Sequence, residues 1–497
     1  MSQLQFPWLE TSLVLLTLGA LVVSRLRSVE RARIGALILS GIALALTLAA
    51  WADFASQPGT ASHSPLMQVS AFLGEDALVV DELNAPLMPL VALLYLLTLL
   101  TTLRSKIRRF SFAGALVSQA LLIATFACHD PAGIIVLLIA TTIPPYFELR
   151  WRHRPTGVYV LHMGLFAALL LLGGWLCYGS SAEGPVAAWR VLPLAAAIAL
   201  RCGVVPVHCW LTDLFEHATF GTALLFVLPM PGIYAAMRLL LPIAPNWLLA
   251  AIGVVALVTA FYAAGMALVQ KEARRFFGYL FLSHSALVLV GIETIEPTGL
   301  TGALCVWVSA AVALAGFGLT LRALECRDGR LTLTGYRGLY EQTPMLAMLF
   351  LLTGLASVGF PGTFGFVGTE LLVDGVVHSF PYIGIGIVLV AALNGIAVVQ
   401  TYFTLFTGTR NFFSISLGSR KRERFAVLLL AILILAGGIY PQPGVASRYQ
   451  AAVDILQQRE ARLSAAASAE QHPRPETRGN RNHPARLTQQ TSMTEAR

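Results

Sequence analysis

The sequence predicts an all-α protein that crosses a membrane many times, and three observations carry that prediction. Of 497 residues, 56% are hydrophobic and only 12% charged, with a mean hydropathy of +0.71, a balance outside the range of soluble globular domains. Apolar windows of about 17 to 25 residues, long enough to cross a hydrocarbon core of about 30 Å, recur along most of the chain. Lys and Arg gather in alternate short loops between these windows, which is the charge pattern of membrane topology. The net charge of +8 is thereby accounted for without nucleic acid as a partner.

In order, the windows fall at 8–24, 34–55, 84–103, 110–127, 133–149, 156–178, 191–209, 221–240, 247–269, 277–295, 300–321, 345–368, 383–408 and 425–440, fourteen in all. The first contains Glu10 and follows no basic segment, so it does not read as a cleavable signal peptide. The basic loops hold Arg25, Arg27, Arg31 and Arg33; Lys106, Arg108 and Arg109; Arg150, Arg152 and Arg154; Lys271, Arg274 and Arg275; Arg327, Arg330 and Arg337; and Arg410, Arg420, Lys421, Arg422 and Arg424. The intervening loops are nearly free of Lys and Arg, Arg190 excepted, and the long 56–83 segment holds Glu75, Asp76, Asp81 and Glu82. The basic loops are therefore expected in the cytoplasm of a bacterial inner membrane, with both termini on the other side because the span number is even. Residues 457–497 are polar and Pro-containing, and are expected to be disordered because they bury too little to offset ordering.

Cofactor chemistry finds no footing. The six cysteines (Cys128, Cys177, Cys202, Cys209, Cys305 and Cys326) form no CxxC pair and read as small apolar packing groups. No GxGxxG follows a strand and no His pair stands at haem-ligand spacing. No metal, cofactor or catalytic centre is expected in this chain, and any redox chemistry belongs to partners.

Six segments then carry a resemblance: Val80-Asp81-Glu-Leu-Asn-Ala-Pro86; Pro206-Val-His208-Cys-Trp210-Leu-Thr-Asp213; Arg274-Arg275-Phe-Phe-Gly-Tyr279 through His284; Tyr336-Arg337-Gly-Leu through Pro344; Gly359-Phe-Pro361-Gly-Thr-Phe-Gly365-Phe-Val-Gly368; and Asn394-Gly395 through Tyr402-Phe403. In this order and spacing, residues from about 80 to 410 resemble the antiporter-like membrane subunits of respiratory complex I (NADH:quinone oxidoreductase), membrane-bound hydrogenases and Mrp cation/proton antiporters. The resemblance implies about fourteen transmembrane helices with two five-helix repeats of inverted topology, each containing a broken helix where ions pass. It divides the chain into N-terminal helices over 1–109, a first repeat over 110–240, a second over 247–408, a C-terminal helix and flank over 409–456, and the tail. The breaks are expected near Gly203 to Pro206 and Gly359 to Gly365, both rich in helix breakers.

The resemblance also implies a mid-membrane row of ionisable groups, and this sequence departs from it. In the first repeat the expected carboxylate, five residues before Pro144, is Ile139; the expected lysines are Arg201 and Met230. Guanidinium does not release its proton near neutral pH, so Arg201 reads as a fixed charge. It is either a structural cation satisfied by carbonyls freed at the break or a contact for a transported ion. In the second repeat Arg274 stands ten residues before His284, and an imidazole is suited to proton exchange at physiological pH. The charged position of the second broken helix is Thr369, with Glu370 beside it and Asp374 a turn on; these two either form an outer half-path with His284, cap the helix, or face the outer surface. His208 and Trp210 read as interfacial or hydrogen-bonded packing groups, or as site groups. Asp213, Glu216 and His217 read as a solvated loop or an inner mouth, His162 as a helix contact, and Arg275 as a topology anchor.

The ion-translocation candidates are thus Arg201, His208, Arg274, His284, Glu370 and Asp374. The function expected first is that of a proton- or monovalent-cation-translocating subunit, bound to other membrane subunits, with a degraded first half-channel. Two alternatives are the membrane partner of an energy-coupled inorganic carbon uptake complex and a non-conducting scaffold.

Overall fold

The computed structural model describes residues 2–57, 61–63, 78–102, 110–179, 187–378, 380–408 and 420–471. Lys106, Arg108, Arg109, Arg410, Glu75, Asp76 and residues 472–497 of the expected tail lie outside the described residues.

Hydrocarbon offers no partner to a backbone N–H or C=O, so the apolar runs fold as helices, whose bonds are internal. A hairpin of α1 (Trp8–Arg25) and α2 (Val29–Ala55) leads to α3 (Leu87–Leu100) and α4 (Phe112–Ala127). Asp130, which accepts a hydrogen bond from Gly133 N at 2.7 Å, starts α5 (Pro131–Thr141), continued by α6 (Ile143–Trp151). Next come α7 (Gly157–Tyr178), α8 (Ala188–Cys202), α9 (Cys209–His217), α10 (Phe220–Val227) and α11 (Pro231–Ala235), the last running into a π-helical turn at Ala236–Leu240. The second half comprises α12 (Asn246–Leu268), α13 (Ala273–Val290), α14 (Pro297–Asp328), α15 (Pro344–Ser357), α16 (Phe364–Val377) and α17 (Pro381–Phe406). It is followed by α18 (Lys421–Ile439) and α19 (Gln442–Gln471).

The apolar windows fall on helix over most of their described length. By length and composition, eight segments among the described residues are able to cross a bilayer, or nine if the bent pair α18 and α19 is one span; α3, α4 and α15 are apolar but shorter. Two windows are interrupted at a left-handed glycine. Helix α8 stops at Cys202 with Gly203 left-handed at φ 76°, and α9 resumes at Cys209; α15 stops at Ser357, Gly359 is left-handed at φ 79°, and α16 resumes at Phe364. The interior is organised around α14, buried nearly end to end and packed against α13, α15, α16, α18 and α19. Glycines permit its closest approach: a Cβ at Gly302 would lie 2.2 Å from Leu372 N, and one at Gly368 2.8 Å from Val306 N, the small-residue contact usual between membrane helices.

Two expectations are corrected. The chain is not purely helical, because β1 (Ser2–Gln3) pairs parallel to β2 (Ala61–His63), which pairs antiparallel to β3 (Val79–Asp81); strands of two and three residues are too short for alternation to reveal. Nor does order end at Gln457, since α19 continues to Gln471 after an 80° bend from α18. Ala451, Ala452, Ile455 and Leu456 are buried along it, and the buried Arg459 donates to Asn246 Oδ1 at 2.6 Å and to Leu241 O.

Contacts collect the basic segments on one end of the molecule. Arg33 donates to Leu100 O, Arg322 to Thr98 O, Arg152 to His217 O and Arg330 to Glu216 O, while Arg327 pairs with Glu423. The small sheet and α19 occupy the opposite end, where Arg448 donates to Leu83 O at 3.0 Å.

Candidate ion-translocation site

The first break places Arg201 in the last turn of α8 at 5% exposure, with its guanidinium carbon 4.0 Å from the Phe226 ring centroid and 5.6 Å from that of Trp210. The expected satisfaction by freed carbonyls does not occur. Leu200 O accepts from Trp210 Nε1 at 2.9 Å and from Gly203 N, Ala199 O accepts from Val204 N, and Arg201 Nε and Nη2 have no hydrogen-bond partner. The cation is held by ring faces, whose quadrupoles attract it. Beside it Met230 is buried and left-handed at φ 50°, and Ile139 is partly buried against the apolar core; neither holds a proton.

Past the break, His208 is buried with its ring centroid 5.1 Å from Tyr262 and 6.1 Å from Tyr279, and its Nδ1 is unpartnered. Trp210, 1% exposed, is an internal strut rather than an interfacial anchor. Asp213 and His217 pair at 3.1 Å, and Glu216 faces Arg275 at 3.8 Å. His162 Nδ1 lies 2.8 Å from Val158 O within its own helix.

Arg274 is a clamp. Its Nε and Nη2 each lie 2.7 Å from a Glu325 oxygen, and Nη1 donates to Phe215 O and Ala218 O, tying α13 to α14 and to the end of α9. Ten residues on, His284 is 2% exposed, with Nδ1 2.7 Å from Leu280 O and Nε2 2.7 Å from Ser357 O. A neutral imidazole has one N–H and serves one carbonyl; the imidazolium serves both. Ser357 is the last residue of α15, so His284 is bonded to the rim of the second break at the negative end of a helix dipole. Next to it, Ser283 Oγ donates to Ala260 O and accepts from Asn394 Nδ2 at 2.9 Å.

The expected outer half-path is not assembled. Glu370 and Asp374 lie on the exposed face of α16, Asp374 with a side chain 63% exposed beside His378, because one residue's displacement turns a helical side chain by about 100°. Sequence reasoning missed several buried carboxylates instead, three of which bear on the site. Glu148 accepts from Thr219 N at 2.8 Å, from Thr222 Oγ1 and from Arg152. Glu325 is Arg274's partner. Glu293, 4% exposed with both oxygens unpartnered, lies against Gly253, where a Cβ would collide with it. Glu148 and Glu325 adjoin arginines of the basic segments and Glu293 stands at the end of an apolar window, so sequence position marks none of them as a site.

Among the described residues no cluster of three or more His, Cys, Asp or Glu is arranged to hold a metal. Residues 156–394 match the family described as NADH:quinone oxidoreductase/Mrp antiporter, TM. The chain is 29% identical over 357 residues to NADH-quinone oxidoreductase subunit 13 of Thermus thermophilus, covering 66% of this chain and 74% of that protein. It is 25% identical over 442 residues to F(420)H(2) dehydrogenase subunit M of Methanosarcina mazei, covering 80% and 88%. Its fold is similar to a chain of the Mrp complex from Dietzia sp. DQ12-45-1b, with TM-score 0.77, 17% identity and coverage of 92% of this chain and 99% of that one.

Proposed function

Since this chain belongs, through residues 156–394, to the NADH:quinone oxidoreductase/Mrp antiporter membrane family, we propose that it is a proton-translocating subunit of an ion-coupled multi-subunit complex, with conduction confined to its second half. The fourteen-helix reading with two inverted repeats belongs to the same proposal, supported by two breaks of the same design at Gly203 and Gly359. The observation that carries the functional reading is His284, buried, bridging Leu280 O and Ser357 O. It is a titratable group bonded to a helix break, where freed backbone admits water. The Arg274–Glu325 pair lies ten residues before it and the unpartnered Glu293 nine residues after, so ionisable groups stand at about 14 Å intervals along α13 and its C-terminal loop, with a carboxylate at each end. The first half offers no such series at Ile139, Arg201 and Met230.

The test is proton flux in vesicles holding the complex. His284→Ala and Glu293→Gln are expected to reduce flux at unchanged protein yield, while Glu370→Gln and Asp374→Asn leave it intact. Unchanged flux in both buried variants favours the scaffold reading. The inorganic carbon reading is favoured only if the unpaired Arg201 cation is required for uptake of bicarbonate.

A further inference from the structure

At the end of the molecule that carries the basic segments, a cleft of about 360 Å³ opens between α2, α3 and α18, lined by Arg33, Thr101, Thr102 and the run Arg420 to Glu423. Arg33 is paired with Glu30 at 3.7 Å; three further cations, the exposed Arg420, Lys421 and Arg422, face one carboxylate. Glu423 is already engaged, paired with Arg327 and accepting from Arg420 N at 3.0 Å, so it does not neutralise them. Arg33 is 4% exposed and is oriented by Leu100 O at 3.2 Å. A cleft with this excess of positive charge recognises an anion.

The walls of the cleft continue into the bilayer as apolar surface. Ile34 and Ile38 of α2 are 50% and 57% exposed, and Phe425 and Leu428 of α18 are 57% and 43% exposed. Further along the same helices an apolar groove of about 450 Å³ is lined by Leu44 and Leu48 of α2, Leu90 and Leu93 of α3, and Leu429 and Leu433 of α18. At 1.5 Å per residue it begins about 12 Å below Lys421 and about 16 Å below Arg33. That is about the depth of one leaflet, half of a hydrocarbon core of about 30 Å.

We propose that this cleft binds the headgroup of an anionic glycerophospholipid whose acyl chains lie along the α2 and α18 faces to the groove. A soluble phosphate matches the charges but leaves the apolar bed unused, and a zwitterionic lipid matches the bed but not the charges. The lipid bridges the N-terminal hairpin to the C-terminal helix across α3, which packs on both.

The experiment uses the purified full chain in detergent, with binding followed by native mass spectrometry and by thermal melting. Phosphatidylglycerol is expected to bind saturably and raise the melting temperature, phosphatidylcholine to do neither, and millimolar inorganic phosphate or glycerol phosphate not to compete. Lys421→Gln with Arg422→Gln, both exposed, is expected to weaken phosphatidylglycerol about 25-fold, about five-fold for each surface cation, without altering melting in lipid-free detergent. Arg150→Gln with Arg154→Gln in another basic loop leaves binding unchanged. Equal binding of phosphatidylcholine, displacement by phosphate, or a double variant that binds like the parent each overturns the proposal; the lipid comparison stands even if a variant fails to fold.

Discussion

Arg201 and Arg274 are both arginines in place of the lysines the resemblance leads one to expect, and they do opposite work. Arg274 forms a two-pronged pair with Glu325, and removing one member of a buried pair leaves an uncompensated charge, at a cost of about 3 kcal/mol. Arg274→Ala is therefore expected to lower the melting temperature sharply, as Glu325→Ala does. Arg201 has no carboxylate and two unpartnered nitrogens, and its ring contacts, worth about 2 kcal/mol when desolvated, oppose the penalty of burying the charge. Arg201→Met is expected to leave melting nearly unchanged or raise it; a large drop would show that the cation is structural. Asp81 supplies a third test, by pH. Burial alone would raise its carboxyl, but Arg238 and, more weakly, His129 overcome this and hold it below its ordinary 3.8. A depressed carboxyl contributes stability above that value and loses it as pH falls through the folded-state value. The Asp81 contribution to melting is expected to stay constant from neutral pH downward and to be lost only below 3.8, with Asp81→Asn flattening the acid limb. The resemblance marked where a charge is expected and so made Ile139 and Met230 legible as departures from it, but nothing local announced Glu293, whose burial depends on Gly253 of another helix.

The two breaks were readable as clusters of Gly and Pro, because left-handed backbone favours glycine and proline ends a helix. What they hold was not readable. The carbonyls at the first are consumed by Trp210 and the backbone, whereas at the second Ser357 O is bonded to His284. Gly359→Ala puts a Cβ at φ 79°, 3.1 Å from Thr369 Oγ1, and left-handed backbone costs a non-glycine residue about 1 kcal/mol or more. It is expected to disturb flux beyond its effect on stability, because it moves the rim that His284 grips; flux that follows only the loss of folded protein would argue against that coupling. Helix α19 was missed for a different reason. Its composition is polar, yet the stripe Ala451, Ala452, Ile455, Leu456 and Arg459 recurs at helical spacing, and its last member is an arginine whose head is spent on Leu241 O and Asn246 Oδ1. Composition scores that residue as solvated; only the partner surface makes it a buried anchor.

For the whole molecule the alternation of loop charge predicts more than a helix count. Among the described residues, contacts of the basic segments join one basic segment to another or to a helix end on the same face, from Arg33 at Leu100 to Arg327 at Glu423, while the sheet, Arg238, Arg448 and Arg459 make their contacts at the far end. Two faces of different charge are thus fixed by the fold, and positive residues in short loops stay on the cytoplasmic side during insertion. The exposed Gln457 of α19 is then expected outside the cytoplasm and the exposed Arg154 within it. In a background whose exposed native thiol is removed by Cys209→Ser, Gln457→Cys is expected to react with a membrane-impermeant maleimide when the outer face of the cytoplasmic membrane is presented, and Arg154→Cys only after that membrane is opened. The reverse pattern would invert the molecule, and with it the face at which protons enter the His284 column and the leaflet that supplies the lipid.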